Sequence, residues 1–295
     1  IWRAVMQWIG GLGIILFTLA VLPMLNTTGG MQMFNAEMTG ITHDKIGPRV
    51  SQTAKSLWSI YMVLTAVLAF LLWLGPMSFF DAVCTAFGTL STGGYTSGLS
   101  GMEAMQHTYI KVVMTVFMFL GGVNFALLFR FLTGQPRQLL RSDVFRVYVV
   151  FTLAMWACFA VASFFADGYR GIEALTIDPL FQVVAISTST GISLLPVAGW
   201  GGFTLMLTIL MMFFGGFAGS TSGGAKIDRF LYLVKNTRNE LYRCIYPNAV
   251  LPVQVGGRVA SPQLVGKVIA FLCIYVIVVL VGSSILTIMD VPITD

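Results

Sequence analysis

Apolar residues dominate six stretches of the chain, at approximately 3–25, 54–75, 108–132, 144–166, 202–235 and 265–289. Each is long enough, at about 20 residues, to cross a bilayer as a helix. Two shorter apolar pieces, about 78–90 and 176–187, fall short of that length and predict re-entrant or buried helices rather than spans. Each short piece runs into a segment of hydroxyl residues and glycine. The first is Leu90-Ser91-Thr92-Gly93-Gly94-Tyr95-Thr96 and the second is Ser187-Thr188-Ser189-Thr190-Gly191-Ile192-Ser193. Gly94 and Gly191 hold the same place in the two copies, 97 residues apart by subtraction.

The order is therefore a span, then twice a unit of span, short helix, extended segment and span, then a final span. Phe80-Asp81-Ala82-Val83-Cys84-Thr85-Ala86-Phe87 and Leu180-Phe181-Gln182-Val183-Val184-Ala185 enter the two segments alike, which marks internal repetition. Glycine pairs follow at matched depth, Gly121-Gly122 and Gly215-Gly216, and the first stretch has its own pair, Gly10-Gly11. The predicted fold class is an all-α polytopic membrane protein.

Composition agrees. Hydrophobic residues make up 57% of the 295, charged residues only 10%, and mean hydropathy is +0.85; a soluble domain carries about 25% charged residues. Of the 17 lysines and arginines, 14 fall in 26–55, 130–146 and 226–267, leaving Arg3, Lys111 and Arg170 on the other side. Positive loops stay cytoplasmic, so the two hydroxyl-glycine segments lie toward the outside. The net charge of +5 is thus a topology signal, and nucleic-acid binding is set aside. The four cysteines form no CxxC pair and both histidines stand alone, so neither a disulfide framework nor a transition-metal site is expected.

Non-helical backbone survives at membrane depth only when buried in protein or lining a wet cavity. There, rings of carbonyls can replace the hydration shell of a cation. Gly93, Gly94 and Gly191 permit the positive φ that turns successive carbonyls one way. Ser91, Thr92, Thr188, Ser189 and Thr190 offer hydroxyl oxygens, or tie the segment to its short helix. A single Ser-Thr-Gly-Gly is a common turn; its recurrence in one context is what points to a cation filter.

The stretch Phe214-Gly215-Gly216-Phe217-Ala218-Gly219-Ser220-Thr221-Ser222-Gly223-Gly224-Ala225-Lys226 should interrupt its helix, since each glycine costs about 1 kcal/mol against alanine. It reads as a gate below the filter, or as a close-packing face of small residues. A phosphate-binding loop is dismissed, because the lysine falls one residue late and Ile227 replaces the needed hydroxyl. An intramembrane protease using Ser220 or Ser222 needs a histidine base, and His43 and His107 both fall in loops. No enzymatic activity is expected. Asp81 reads as a helix cap or first-turn carboxylate, Asn124 as an interhelical hydrogen-bonding residue, and Lys226 and Arg229 as snorkelling anchors or as sensors of the gate's position.

The chain resembles the Trk-type potassium uptake proteins of bacteria, within the wider Trk/Ktr/HKT group. The matching features run in the family's order. They are Trp8-Ile9-Gly10-Gly11-Leu12-Gly13-Ile14-Ile15, Gly29-Gly30-Met31-Gln32 with Ala36-Glu37-Met38, Pro48-Arg49 through Thr53-Ala54-Lys55, both hydroxyl-glycine segments, and Gly219-Ser220-Thr221-Ser222-Gly223-Gly224-Ala225-Lys226.

The resemblance implies four membrane-helix–pore-loop–membrane-helix repeats around a pseudo-fourfold pore, in the cytoplasmic (inner) membrane. The parts expected are 1–53, the last span of the first repeat with a cytoplasmic loop; 54–142, the second repeat; 143–240, the third, with a broken gate-bearing span; and 241–295, a cytoplasmic loop and the first span of the fourth. It implies a potassium filter at Ser91, Thr92, Gly93, Gly94, Thr188, Ser189, Thr190 and Gly191. It implies a gate at Gly215, Gly216, Gly219, Ser220, Thr221, Ser222, Gly223 and Gly224. Homodimers and cytosolic nucleotide-binding regulatory subunits are implied as partners. The first and fourth pore loops are missing from the sequence, so it is expected to be an internal fragment whose two segments do not close a fourfold filter. A sodium- or proton-coupled carrier, or a weakly selective cation channel, is the alternative function.

Overall fold

The computed structural model describes residues 1–13, 50–94, 103–167, 171–193, 202–249, 251–256 and 258–289. Residues 14–25 of the first apolar stretch, Gly29-Gly30-Met31-Gln32, Ala36-Glu37-Met38, His43, Lys45, Pro48-Arg49, Tyr95-Thr96, Arg170 and the last six positions lie outside the described residues.

Eleven helices and one short hairpin make up the described chain. They run α1 (Trp2–Leu12), α2 (Val50–Trp73), α3 (Phe79–Leu90), α4 (Thr108–Gly121), α5 (Phe125–Leu132), α6 (Pro136–Leu140), α7 (Asp143–Asp167), α8 (Ile172–Ser187), α9 (Gly202–Phe214) and α10 (Ile227–Ile245). Strands β1 (Gln254–Val255) and β2 (Arg258–Val259) pair antiparallel before α11 (Pro262–Ile288). The chain is a helical polytopic membrane protein. Gln52–Trp73, Asp143–Phe165 and Pro262–Ile288 are each long and apolar enough to cross a bilayer. Ser261 starts α11 by accepting from the Leu264 amide at 3.3 Å, with Pro262 in the first turn, where its missing N–H costs nothing. Along α11, Ile274, Val278, Val281 and Ile285 stay exposed, an apolar face suited to lipid.

The short helices α3 and α8 match the two sub-length pieces of the sequence, α8 beginning four residues earlier than expected. Ser78 caps α3: its Oγ accepts from the Asp81 amide at 3.1 Å and donates to Asp81 Oδ2 at 2.7 Å. Asp81 is thus a first-turn carboxylate of the cap.

Residues 108–132, expected as one span, form two helices bent by 109°. Gly121 and Gly122 end α4, and Asn124 starts α5 by accepting from Ala126 N at 2.8 Å and Leu127 N at 3.2 Å. A glycine pair followed by an N-cap residue stops one helix and nucleates the next. In the described part of the first stretch, α1 runs through Gly10-Gly11 and ends at Leu12, with Gly13 at φ 94°. The stretch 202–235 is divided into α9 and α10, and α10 runs ten residues past the expected end.

One contact between helices occurs twice. Tyr61 of α2 donates its hydroxyl to Trp8 O of α1 at 2.9 Å and stacks on the Trp8 ring, centroids 5.5 Å apart. Tyr148 of α7 donates to Phe119 O of α4 at 3.4 Å and stacks on Phe119 at 4.7 Å. A side chain at Gly11 would collide with the Tyr61 hydroxyl and Ser91; one at Gly122 would collide with the Tyr148 hydroxyl and Thr188. Trp8 to Phe119 and Gly11 to Gly122 are the same step, 111 residues by subtraction. The second glycine of each pair therefore lets a helix approach the base of the next hydroxyl-glycine segment. Leu57, Tyr61, Phe125, Tyr148 and Phe217 share one buried cluster around these contacts, and Leu68, Ala82, Met114, Met118 and Phe181 a second one.

Candidate ion pathway

Both hydroxyl-glycine segments leave their short helices through the same hydrogen bonds. Ser91 N donates to Phe87 O and Thr92 N to Thr89 O, both at 3.2 Å; Thr188 N donates to Val184 O at 3.0 Å and Ser189 N to Ile186 O at 2.9 Å. Two positions in each then take positive φ: Thr92 (53°) and Gly94 (78°) in one, Ser189 (57°) and Gly191 (71°) in the other. A left-handed residue with a side chain costs about 1–3 kcal/mol and persists only where its surroundings hold it.

The two segments meet. A Cβ on Gly94 would lie 2.5 Å from the Thr190 carbonyl oxygen, and one on Gly191 would lie 3.9 Å from Gly94 Cα. Ser91, Thr188 and Thr190 are buried, whereas Gly191 is exposed. The hydroxyls tie the backbone down. Thr188 Oγ1 donates to Val184 O at 2.7 Å and so accepts from Thr190 Oγ1, also at 2.7 Å. Ser91 Oγ reaches Gly88 O at 3.4 Å.

Gly93 corrects an expectation. Positive φ falls on Thr92 and Gly94 and skips Gly93. Glycine is needed there for room: a Cβ would sit 2.7 Å from Cδ of Gln7, whose Nε2 donates to Gly93 O at 3.1 Å.

The glycine-rich stretch 215–226 forms a folded-back loop beneath these segments. Gly215, Gly219 and Gly224 adopt positive φ. Ser222 Oγ accepts from Gly216 N at 2.8 Å, and Ser220 Oγ donates to Phe217 O at 2.7 Å. Thr221 touches the first segment: its Oγ1 reaches Leu90 O at 2.9 Å and Gly121 O at 3.1 Å, while Thr92 Oγ1 donates to Thr221 O at 2.9 Å. A Cβ on Gly223 would lie 3.5 Å from the Ser189 side chain. One loop therefore contacts both segments.

Lys226 corrects a second expectation. It is no snorkelling anchor: it is 4% exposed, and its Nζ donates to the carbonyls of Ser222 and Ser220 inside the loop. Burial of an ammonium is tolerated when oxygens surround it. Arg229, one turn on, lies 3.9 Å over the Phe271 ring and donates to Ala225 O at 3.3 Å.

Several residues that hold the site carried little sequence signal. Asn124, besides capping α5, donates from Nδ2 to Ala218 O at 2.7 Å, so the interhelical reading becomes a cap and a clamp on the loop. Asp228 Oδ2 accepts from Ala218 N at 3.0 Å. Phe217, Ala218, Asn124, Arg130, Arg137 and Arg141 line part of a cavity of about 410 Å³ beside the loop. The Gly-Gly-x-Asn order was the legible hint for Asn124; Gln7 and Asp228 gave none.

Residues 1–292 match the model of the TrkH cation transport protein family. The Trk system potassium uptake protein TrkH of Salmonella typhimurium is 34% identical over 283 residues, covering 95% of this chain and 58% of that protein. That of Vibrio parahaemolyticus is 35% identical over 285 residues, with the same coverage. The crystal structure of the potassium transporter TrkH from Vibrio parahaemolyticus superposes with a TM-score of 0.78 at 33% identity, over 94% of this chain and 56% of that one. The chain thus spans a little over half the length of these relatives. A family model matched almost end to end, and a fold shared at this identity, place this chain in the TrkH family of cation transport proteins.

Proposed function

We propose that the chain forms part of a potassium uptake pathway across the cytoplasmic membrane, with Ser91, Thr92, Gly93, Gly94, Thr188, Ser189, Thr190 and Gly191 in its filter. The observation that carries this is the meeting of two segments with the same alternation of left-handed residues, Thr92 and Gly94 against Ser189 and Gly191. Backbone oxygens held by such a turn suit a desolvated monovalent cation, because carbonyl dipoles replace hydration without fixing a charge. The negative ends of helices α3 and α8 point the same preference at the segments.

The loop formed by Gly215, Gly216, Gly219, Ser220, Thr221, Ser222, Gly223 and Gly224 acts as the gate. It crosses directly beneath the filter segments and is held by polar contacts that can be exchanged. The arginine-lined cavity beside Phe217 and Ala218 supports regulation from the cytosolic side by nucleotide-binding subunits. A homodimer, with one pathway in each protomer, completes the reading, and transport rather than catalysis is its activity.

Rubidium uptake by the intact protein in liposomes tests this, with potassium or sodium as competitor and Gly191→Ala beside the wild type. Strong block by potassium, weak block by sodium, and a changed ratio in the variant are expected. Equal block by both cations would replace the potassium reading with a weakly selective or sodium pathway.

A further inference from the structure

The two filter segments are not chemically alike. Gly93 stands where the other segment has Thr190, at the common step of 97 residues. Thr190 uses its hydroxyl to bond Thr188, and so fastens its own segment from within. Gly93 has no side chain to do this. In its place the neighbouring helix supplies the polar group: Gln7 of α1 donates its amide to Gly93 O at 3.1 Å and fills the space a Cβ would need. At the position matching Gln7 in α4, the common step of 111 residues brings Met118. Glycine is therefore paired with glutamine in one place, and the residues at the corresponding sequence positions of the other are Thr190 and Met118.

Packing alone does not call for an amide at position 7. Gln7 Oε1 is buried and has no hydrogen-bond partner among the described residues, a penalty that a methionine would avoid. The amide is directed at one atom, the Gly93 carbonyl, between the left-handed residues Thr92 and Gly94.

We propose that Gln7 is a specificity-determining positioning residue of the cation filter, setting the Gly93 carbonyl from outside the segment as the Thr188–Thr190 pair sets the other segment from inside. This rests on the potassium-filter reading above. Gln7 acts through the backbone, holding one oxygen in place and reducing the freedom of Thr92 and Gly94 on either side. Losing it lets that part of the filter relax toward a smaller cation.

The test is rubidium uptake by the intact protein in liposomes, read as the ratio of sodium to potassium concentrations giving half block. Gln7→Met should lower that ratio about two- to tenfold, the range one lost hydrogen bond spans. Gly93→Thr alone should abolish uptake by collision with Gln7. The double variant Gln7→Met with Gly93→Thr, which reproduces the residues at the corresponding positions of the other copy, should recover both uptake and ratio. A Gln7→Met protein with lower uptake but the wild-type ratio would overturn the proposal, leaving Gln7 as a packing residue. Failure of the double variant to outperform Gly93→Thr would overturn it as well. Should Gln7→Met not yield folded protein, Gln7→Leu takes its place, and loss of folded protein in every Gln7 variant, the double included, would mark a structural role only. A wild type blocked equally by both cations would instead remove the filter reading itself.

Discussion

Thr92 donates its hydroxyl to the carbonyl of Thr221 at 2.9 Å, and Thr221 returns a hydroxyl to Leu90 O at the same distance. A left-handed residue of the first hydroxyl-glycine segment and the middle of the loop beside it are thus fastened by a pair of hydroxyl bonds. Thr221→Val keeps the shape and removes the hydroxyl. The expected outcome is a loop released toward its open arrangement by about 1–1.5 kcal/mol, a rise of roughly fivefold to tenfold in unstimulated rubidium flux. Liposome efflux without regulatory partners measures it; an unchanged flux would separate loop from filter.

Gly94 and Gly191 differ in what surrounds them. Alanine at either must accept a positive φ, at about 1–2 kcal/mol, but at Gly94 it also meets the Thr190 carbonyl at 2.5 Å. Gly94→Ala should therefore lower the unfolding temperature in detergent more than Gly191→Ala, and Gly191→Ala should retain uptake with altered selectivity. Equal losses would mean that the two segments do not meet as described.

Lys226 donates to carbonyls within the loop. Replacing it with methionine orphans the oxygens of Ser220 and Ser222, and hydrogen bonds to a charged group are worth about 1.5–3 kcal/mol each. Lys226→Met should raise flux in the absence of activation by at least tenfold, or lose the loop's fold. Arg229→Met, which removes a partly exposed contact on Phe271 and one 3.3 Å bond to Ala225 O, should have a smaller effect on both. Efflux and thermal unfolding of the pair rank the two ties of the loop.

Tyr61→Phe and Tyr148→Phe each delete one hydroxyl from the recurring contact with Trp8 O and Phe119 O. Each should cost about 1 kcal/mol. Because the two hydroxyls donate to different carbonyls, the double variant should lose close to the sum. Chemical denaturation in a fixed detergent checks this, and strong non-additivity would reveal coupling between the two contacts.

The short helices and the break at the third glycine cluster were legible because length and composition decide them: twelve apolar residues cannot span, and five glycines cannot sustain a helix. The bend after Gly121 was hidden because a hydropathy average over 108–132 passes smoothly across two glycines and Asn124. Gly93 was given the wrong reason, since a local rule assigns glycine to positive φ, whereas its cause is Gln7, 86 positions away. Lys226 was misread for a related reason. A lysine near a span's inner end is ordinarily drawn to water, and only the folded loop shows the Ser220 and Ser222 carbonyls accepting from it.

Besides the side-chain ties of Asn124 and Thr221, the two helical breaks are joined through the main chain. Phe217 N donates to Gly122 O at 2.8 Å and Phe125 N donates to Gly219 O at 3.1 Å. No alanine scan can see such a junction, because every amino acid but proline brings the same donor. The residues on either side can drift in identity while the tie endures, and probing it calls for editing the polymer itself, an ester in place of one amide.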